Sequence, residues 1–326
     1  VARLFQHELV KLFLFIFLSF VGASLLAPHL YAWGKDLAAL HAPFVEEPIF
    51  WDSPTIWLAE KCDSAKFPRY FKRALMGTAI LLLYPLISSL KNEVTEKNKI
   101  PLSQRIKLGN QDWKDLGIGL LFSAGFLTLL VLTIYQLGWT QMADKIEIGK
   151  AIQKAIIPAI IVALIEEWLF RGVLYDILMR KLNTTQTIIG LSLFFASVHF
   201  LLPPKGITIA DPRGALAGFE MLGLIGQKFL DPSSFFGVFL TLFVVGATLA
   251  YTRYKTGKLW MAIGLHAGWI FSLKLTNQLT DPTGEAPKLL FNGNITDGIF
   301  PLLTLLITGI CLFFYLRSRK LCATQD

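Results

Sequence analysis

Apolar positions run along this chain in long blocks, not in the alternation of strands or the one-sided stripes of surface helices. Eight blocks, at about 11–28, 74–90, 115–138, 152–178, 185–202, 235–253, 258–276 and 297–316, approach the length needed to cross ~30 Å of hydrocarbon as a helix. The pattern predicts an all-α protein, a polytopic transmembrane helical bundle of about eight spans, with no polar block large enough for a separate soluble domain. The first block reads alternatively as a signal peptide, because Arg3 and Lys11 precede an apolar stretch that ends among small residues. Two longer connections stand out. The stretch 29–73 carries Trp33, Trp51 and Trp57, ordinary interfacial anchors. The stretch 203–234 opens with Pro203-Pro204 and turns apolar between Pro212 and Leu230. That second stretch predicts a helix acting either as a gate over a site or as an amphipathic connector.

Composition agrees with the membrane reading. Of 326 residues, 54% are hydrophobic and 17% charged, against about 25% charged in soluble domains. The net charge of +8 does not indicate nucleic acid, because the Lys and Arg residues are spread over short loops. Basic residues at 91–114, at Arg180 and Lys181, at Arg253, Lys255 and Lys258, and at Arg317, Arg319 and Lys320 fall on one side if both termini are cytoplasmic. Arg69, Lys72 and Arg73 break that rule. Cys62, Cys311 and Cys322 are too few for a disulfide framework or a metal cluster; Cys322, beside a basic cluster, is a weak candidate for lipidation.

Within the fourth block, the apolar stretch Ile156 to Leu174 contains three formal charges: Glu166, Glu167 and Arg171, in I-E-E-W-L-F-R-G. Each charged side chain at a bilayer centre costs roughly 2.5–3.5 kcal/mol, so these groups are expected to face protein or a wet cavity. Glu167 and Arg171 stand at i and i+4, the favoured order for a helical ion pair. Glu166 lies about 100° further round the helix and points elsewhere. Two of the five histidines fall inside predicted spans, His199 in F-F-A-S-V-H-F and His266 in G-L-H-A-G-W. Gly264, Ala267 and Gly268 around His266 favour close helix approach. Glutamate and histidine together suit general acid–base activation of water. The residues alone leave other readings open: an ion network that locks helices, a proton or ion pathway, and a zinc site built from two histidines and a glutamate. His-Glu-x-x-His is absent, and the spacing does not require a metal.

Glu166-Glu167-Trp168-Leu169-Phe170-Arg171, Phe195-x-x-x-His199 and His266 on its small-residue helix together resemble the three motifs of the CAAX-protease and bacteriocin-processing family, in order and spacing, across about 115–276. The resemblance implies a metal-independent, glutamate-dependent intramembrane endopeptidase that needs no cofactor. It implies that Glu166 activates the attacking water with His199, that Glu167 and Arg171 form the supporting ion pair, and that His266 stabilises the oxyanion. The family's third motif usually continues to Asn or Asp four residues after the histidine; here that position is Ile270. Trp269 and Ser272 are the nearest alternative donors. The expected organisation is an unmatched region at 1–114, a protease core at 115–276, and a last span with its tail at 277–326. The expected substrate is a membrane-anchored or lipidated polypeptide, in a bacterial plasma membrane in preference to the endoplasmic reticulum. A non-catalytic peptide-binding immunity or scaffold protein is the alternative that Ile270 favours.

Overall fold

All eight apolar blocks fall on helices in the computed structural model, which describes residues 2–41, 53–94, 109–180, 182–204, 206–231 and 235–319. The helices are α1 (Ala2–His41), α2 (Ser53–Asp63), α3 (Phe67–Val94), α4 (Asn110–Gln136), α5 (Ile148–Glu167), α6 (Tyr175–Met179), α7 (Thr184–Val198), α8 (Ala217–Gln227), α9 (Phe236–Thr256), α10 (Trp260–Leu279) and α11 (Ile299–Ser318). A π-helical segment, Trp168–Leu174, joins α5 to α6. The strands are β1 (Thr140–Met142) and β2 (Thr280–Pro282), an antiparallel pair with Gln141 opposite Asp281. The all-α polytopic expectation stands.

Five helical segments among the described residues are long and apolar enough to cross a membrane: Val10–Leu40, Asn110–Gln136, Ile148–Met179, Phe236–Thr256 and Ile299–Ser318. The protein is therefore an integral membrane protein. The expected count of eight is not reached on these criteria. Helix α7 is apolar but only 15 residues long, and α10 carries His266, Lys274 and Asn277 along its length. Trp51, Lys181, Lys320 and Cys322, and the basic residues at 97–107, lie outside the described residues.

The chain divides into two compact units, residues 1–97 with 200–232, and residues 98–199 with 233–326. In the first, α1, α3 and α8 share a core in which Ala23, Ala27, Phe71, Ala74, Met221 and Ile225 are almost fully buried. Small residues set the spacing. A Cβ on Gly218 would fall on the backbone of Ser24, so α8 lies directly against α1. The apolar stretch at 212–230, expected as a gate or a connector, thus supplies a core helix of this unit.

In the second unit, α10 is the central element, buried on every side from Trp260 to Trp269. Helix α4 meets it through glycines. A Cβ on Gly264 would collide with the Leu116 carbonyl, and one on Gly268 with the Ser123 hydroxyl. Backbones can come this close only where side chains are missing, the usual route to association where water provides no drive. The strand pair ties the ends of α4 and α10 together, with Ala143 N–H donating to the Leu279 carbonyl at 2.9 Å. At the other end, Lys258 pairs with buried Asp112 at 2.7 Å and Arg319 with Asp115 at 2.8 Å.

Candidate active site

The site begins with the alanines of α5. Ala151, Ala155, Ala159 and Ala163 recur every four residues on the buried face, and Glu167 continues the row. Ala163 packs with Ile263 and Ala267 of α10, and Lys154 donates to Gln278 at 3.1 Å, so the two helices run antiparallel. Small side chains let them close. Glu167, one turn beyond Ala163, therefore meets His266.

Glu167 and Arg171 are both 0% exposed in their side chains. Oε1 of Glu167 accepts from Arg171 Nη1 at 2.9 Å and from His266 Nδ1 at 2.8 Å. Both donors converge on one oxygen; Oε2 of Glu167 is buried and has no partner among the described residues. Such a pair survives burial only when further bonds satisfy its remaining groups. Arg171 finds some of them: Nη2 donates to the Gly246 carbonyl of α9 at 3.2 Å, and the guanidinium lies over the Phe195 ring at 4.5 Å and the Phe170 ring at 5.7 Å, while its Nε is buried with no hydrogen-bond partner among the described residues. Cation–π contacts of this kind contribute about 2 kcal/mol when desolvated.

The helix changes register at this point. Through the π-helical turn the N–H of Tyr175 reaches back five residues to the Phe170 carbonyl. An extra residue in a turn frees carbonyl groups for other donors. The Arg171 carbonyl takes one, Nε of Arg253 at 3.1 Å. Arg253 also pairs with Asp176 at 3.4 Å. From the sequence Arg253 reads as a loop charge; here it is buried in the last turns of α9 and supports the backbone behind the site.

Glu166 faces away from the alanine row and toward both histidines. His199 Nε2 is 3.8 Å from Glu166 Oε2, and His266 Nε2 is 3.9 Å from the same oxygen. The other nitrogen of each ring is already committed. His199 Nδ1 is 2.7 Å from the Phe195 carbonyl, which can only accept, so Nδ1 carries a proton. His266 Nδ1 donates to Glu167. Both Nε2 atoms are thereby aimed at one carboxylate oxygen, itself buried and without a hydrogen-bond partner among the described residues. The rest of Glu166 is partly open, at 27% exposure, as is His199 at 29%. Separations near 4 Å between polar atoms are the span of a bridging water, which would subtend an angle of roughly 85° between partners at ~2.8 Å.

The five residues singled out from the sequence thus lie together, contributed by α5, its π-helical continuation, the end of α7, and α10. Among the described residues, no group of three or more His, Cys, Asp or Glu side chains is arranged to hold a metal ion. Ile270 is half-buried one turn beyond His266. Beside it, the indole N–H of Trp269 is buried with no partner among the described residues. Gly246, Asp176 and Arg253 are the supporting residues that the sequence did not indicate. Gly246 left one faint signal, a glycine inside an apolar block, and it is where α9 meets Ser192 and Phe195 of α7.

Residues 149–272 match the family model for type II CAAX prenyl endopeptidase Rce1-like. That segment runs from the first turn of α5 into α10 and includes Glu166, Glu167, Arg171, Asp176, His199, Arg253 and His266. Searches of curated proteins and of solved structures returned no match. The segment 149–272 is thus similar to the type II CAAX prenyl endopeptidases, in agreement with the CAAX-protease family whose three motifs its own residues resemble.

Proposed function

We propose that this protein is a glutamate-dependent intramembrane endopeptidase of the CAAX type, cleaving a peptide bond in a membrane-anchored or lipidated polypeptide. The bacterial plasma membrane is the setting we favour. The catalytic core lies within 115–276, and its working residues are Glu166, Glu167, Arg171, His199 and His266. The observation that carries the reading is the convergence of two imidazole Nε2 atoms on the free oxygen of Glu166.

A water held by Glu166 Oε2 and His199 Nε2 attacks the scissile carbonyl carbon. Its proton passes to the Glu166 carboxylate, and the carbonyl oxygen becomes an oxyanion. His266, held by Glu167 through Nδ1, presents an Nε2–H donor to that oxygen in its doubly protonated form. In that form Glu166, Glu167, Arg171 and His266 sum to zero charge, which a buried cluster favours. Collapse of the intermediate breaks the C–N bond, and Glu166 returns its proton to the departing amine. Acid–base groups placed in this way contribute about 10²–10⁴-fold. Arg171 and Glu167 act at one remove, fixing the His266 ring.

Ile270 also supports a second reading, a non-catalytic protein that binds a peptide in the same cavity. Cleavage of a membrane-tethered peptide by the reconstituted protein separates the two. The protease reading expects Glu166→Gln and His199→Ala each to slow cleavage at least about 10²-fold. No cleavage by the wild-type protein, or equal cleavage by either variant, overturns it.

A further inference from the structure

Arg69, Lys72 and their neighbour Lys66 have no part in the proteolytic reading, and the orientation rule does not absorb them. They line a cavity of about 420 Å³ in the first unit, between the start of α3 and the segment 204–207. Among the described residues no carboxylate pairs with them. Asp63 pairs instead with Lys35 at 3.6 Å and Asp36 with Arg213 at 2.7 Å. A fourth cation stands close by. Lys228 donates to the carbonyls of Phe200 and Leu202 at 3.2 and 3.1 Å, and burial together with the charge of Lys72 holds its ammonium below the ordinary lysine pKa. The cavity therefore collects positive charge with no ion-pair partner among the described residues. Its remaining walls include apolar side chains, Pro68 and Ile207.

The depth of the cavity identifies the occupant. Lys35 of α1 bonds the Asp63 carbonyl at the end of α2, and Tyr70 of α3 donates to the Cys62 carbonyl at 2.9 Å. These bonds fix residues 33–36, 57–63 and 66–72 at neighbouring levels of the unit. Trp33 and Trp57, each 59% exposed, mark that level as a membrane–water interface, where indoles sit among headgroups. We propose that this cavity binds the phosphate of one anionic phospholipid, with Lys66, Arg69 and Lys72 on the phosphate and Pro68 and Ile207 against the glycerol and first methylenes. The inference is independent of the proteolytic reading.

The test uses the full chain in phosphatidylcholine nanodiscs, with or without phosphatidylglycerol. Native mass spectrometry counts retained lipid, and thermal shift titration gives its apparent affinity. Each surface cation contributes about a fivefold factor to binding of an anionic lipid, so Arg69→Gln/Lys72→Gln is expected to weaken phosphatidylglycerol binding on the order of 30-fold. The charge-keeping Arg69→Lys/Lys72→Arg retains it, and raised salt weakens it. Equal retention of phosphatidylcholine, an unchanged double variant, or the same stabilisation from inorganic phosphate alone would overturn the proposal. Loss of binding in the charge-keeping variant would do so as well.

Discussion

Arg171 is the residue whose removal the structure prices most clearly. Its side chain is 0% exposed and gives Glu167 one of its two hydrogen bonds. Arg171→Met leaves a buried carboxylate with His266 alone, and breaking a buried pair in this way costs about 3–5 kcal/mol. Glu167→Met leaves the guanidinium with only the Gly246 carbonyl and the two rings, at similar cost. Removing both charges together avoids the orphaned ion. The double variant is therefore expected to cost less than the sum of the singles, by a coupling of about 2–3 kcal/mol. Unfolding free energies measured in mixed micelles, by titration with a denaturing detergent, give all four corners of the cycle. Single losses below about 1 kcal/mol that simply add would refute the claim that this pair is a desolvated unit holding α5, α9 and α10 in register.

Two further outcomes follow from particular contacts. Gly264→Val forces a side chain into the Leu116 carbonyl and is expected to destabilise by at least about 1–3 kcal/mol; a wild-type unfolding midpoint would show that α4 and α10 are not in backbone contact there. Ile270→Asn is expected to raise kcat by as much as 10²-fold with little change in KM, because a missing oxyanion donor costs about 10²–10³. An unchanged kcat in steady-state cleavage would mean that position 270 does not address the reacting carbonyl.

Much of the site was legible in the sequence because membranes penalise idle charge. Three ionisable groups in one apolar block had to face protein, and the i, i+4 spacing of Glu167 and Arg171 already implied their pairing. The small residues around His266 likewise announced a crowded helix. The π-helical turn was not legible, since Trp168–Leu174 has no composition that departs from an ordinary helix. Its consequence, a free Arg171 carbonyl that recruits Arg253, was hidden with it. Arg253 sits four residues before a glycine at the end of an apolar block, where positive charge is normally a marker of membrane orientation. The 212–230 stretch was ambiguous because an apolar face on a short helix reads the same whether it meets lipid, a site or another helix. Only its contacts with Ala23 and Phe71 decide. The union of 1–97 with 200–232 in one unit is a long-range pairing that no local pattern encodes.

The central claim is that Glu166 and His199 hold one water, with His266 Nε2 turned toward the same carboxylate. An experimental density map of the protein in lipid nanodiscs, at a resolution that shows ordered solvent, tests it directly. The account predicts a single feature ~2.7–3.2 Å from Glu166 Oε2 and from His199 Nε2. A density at ~2.0–2.1 Å from both nitrogens, the bond length of zinc, or rings turned away from a common point, would contradict it.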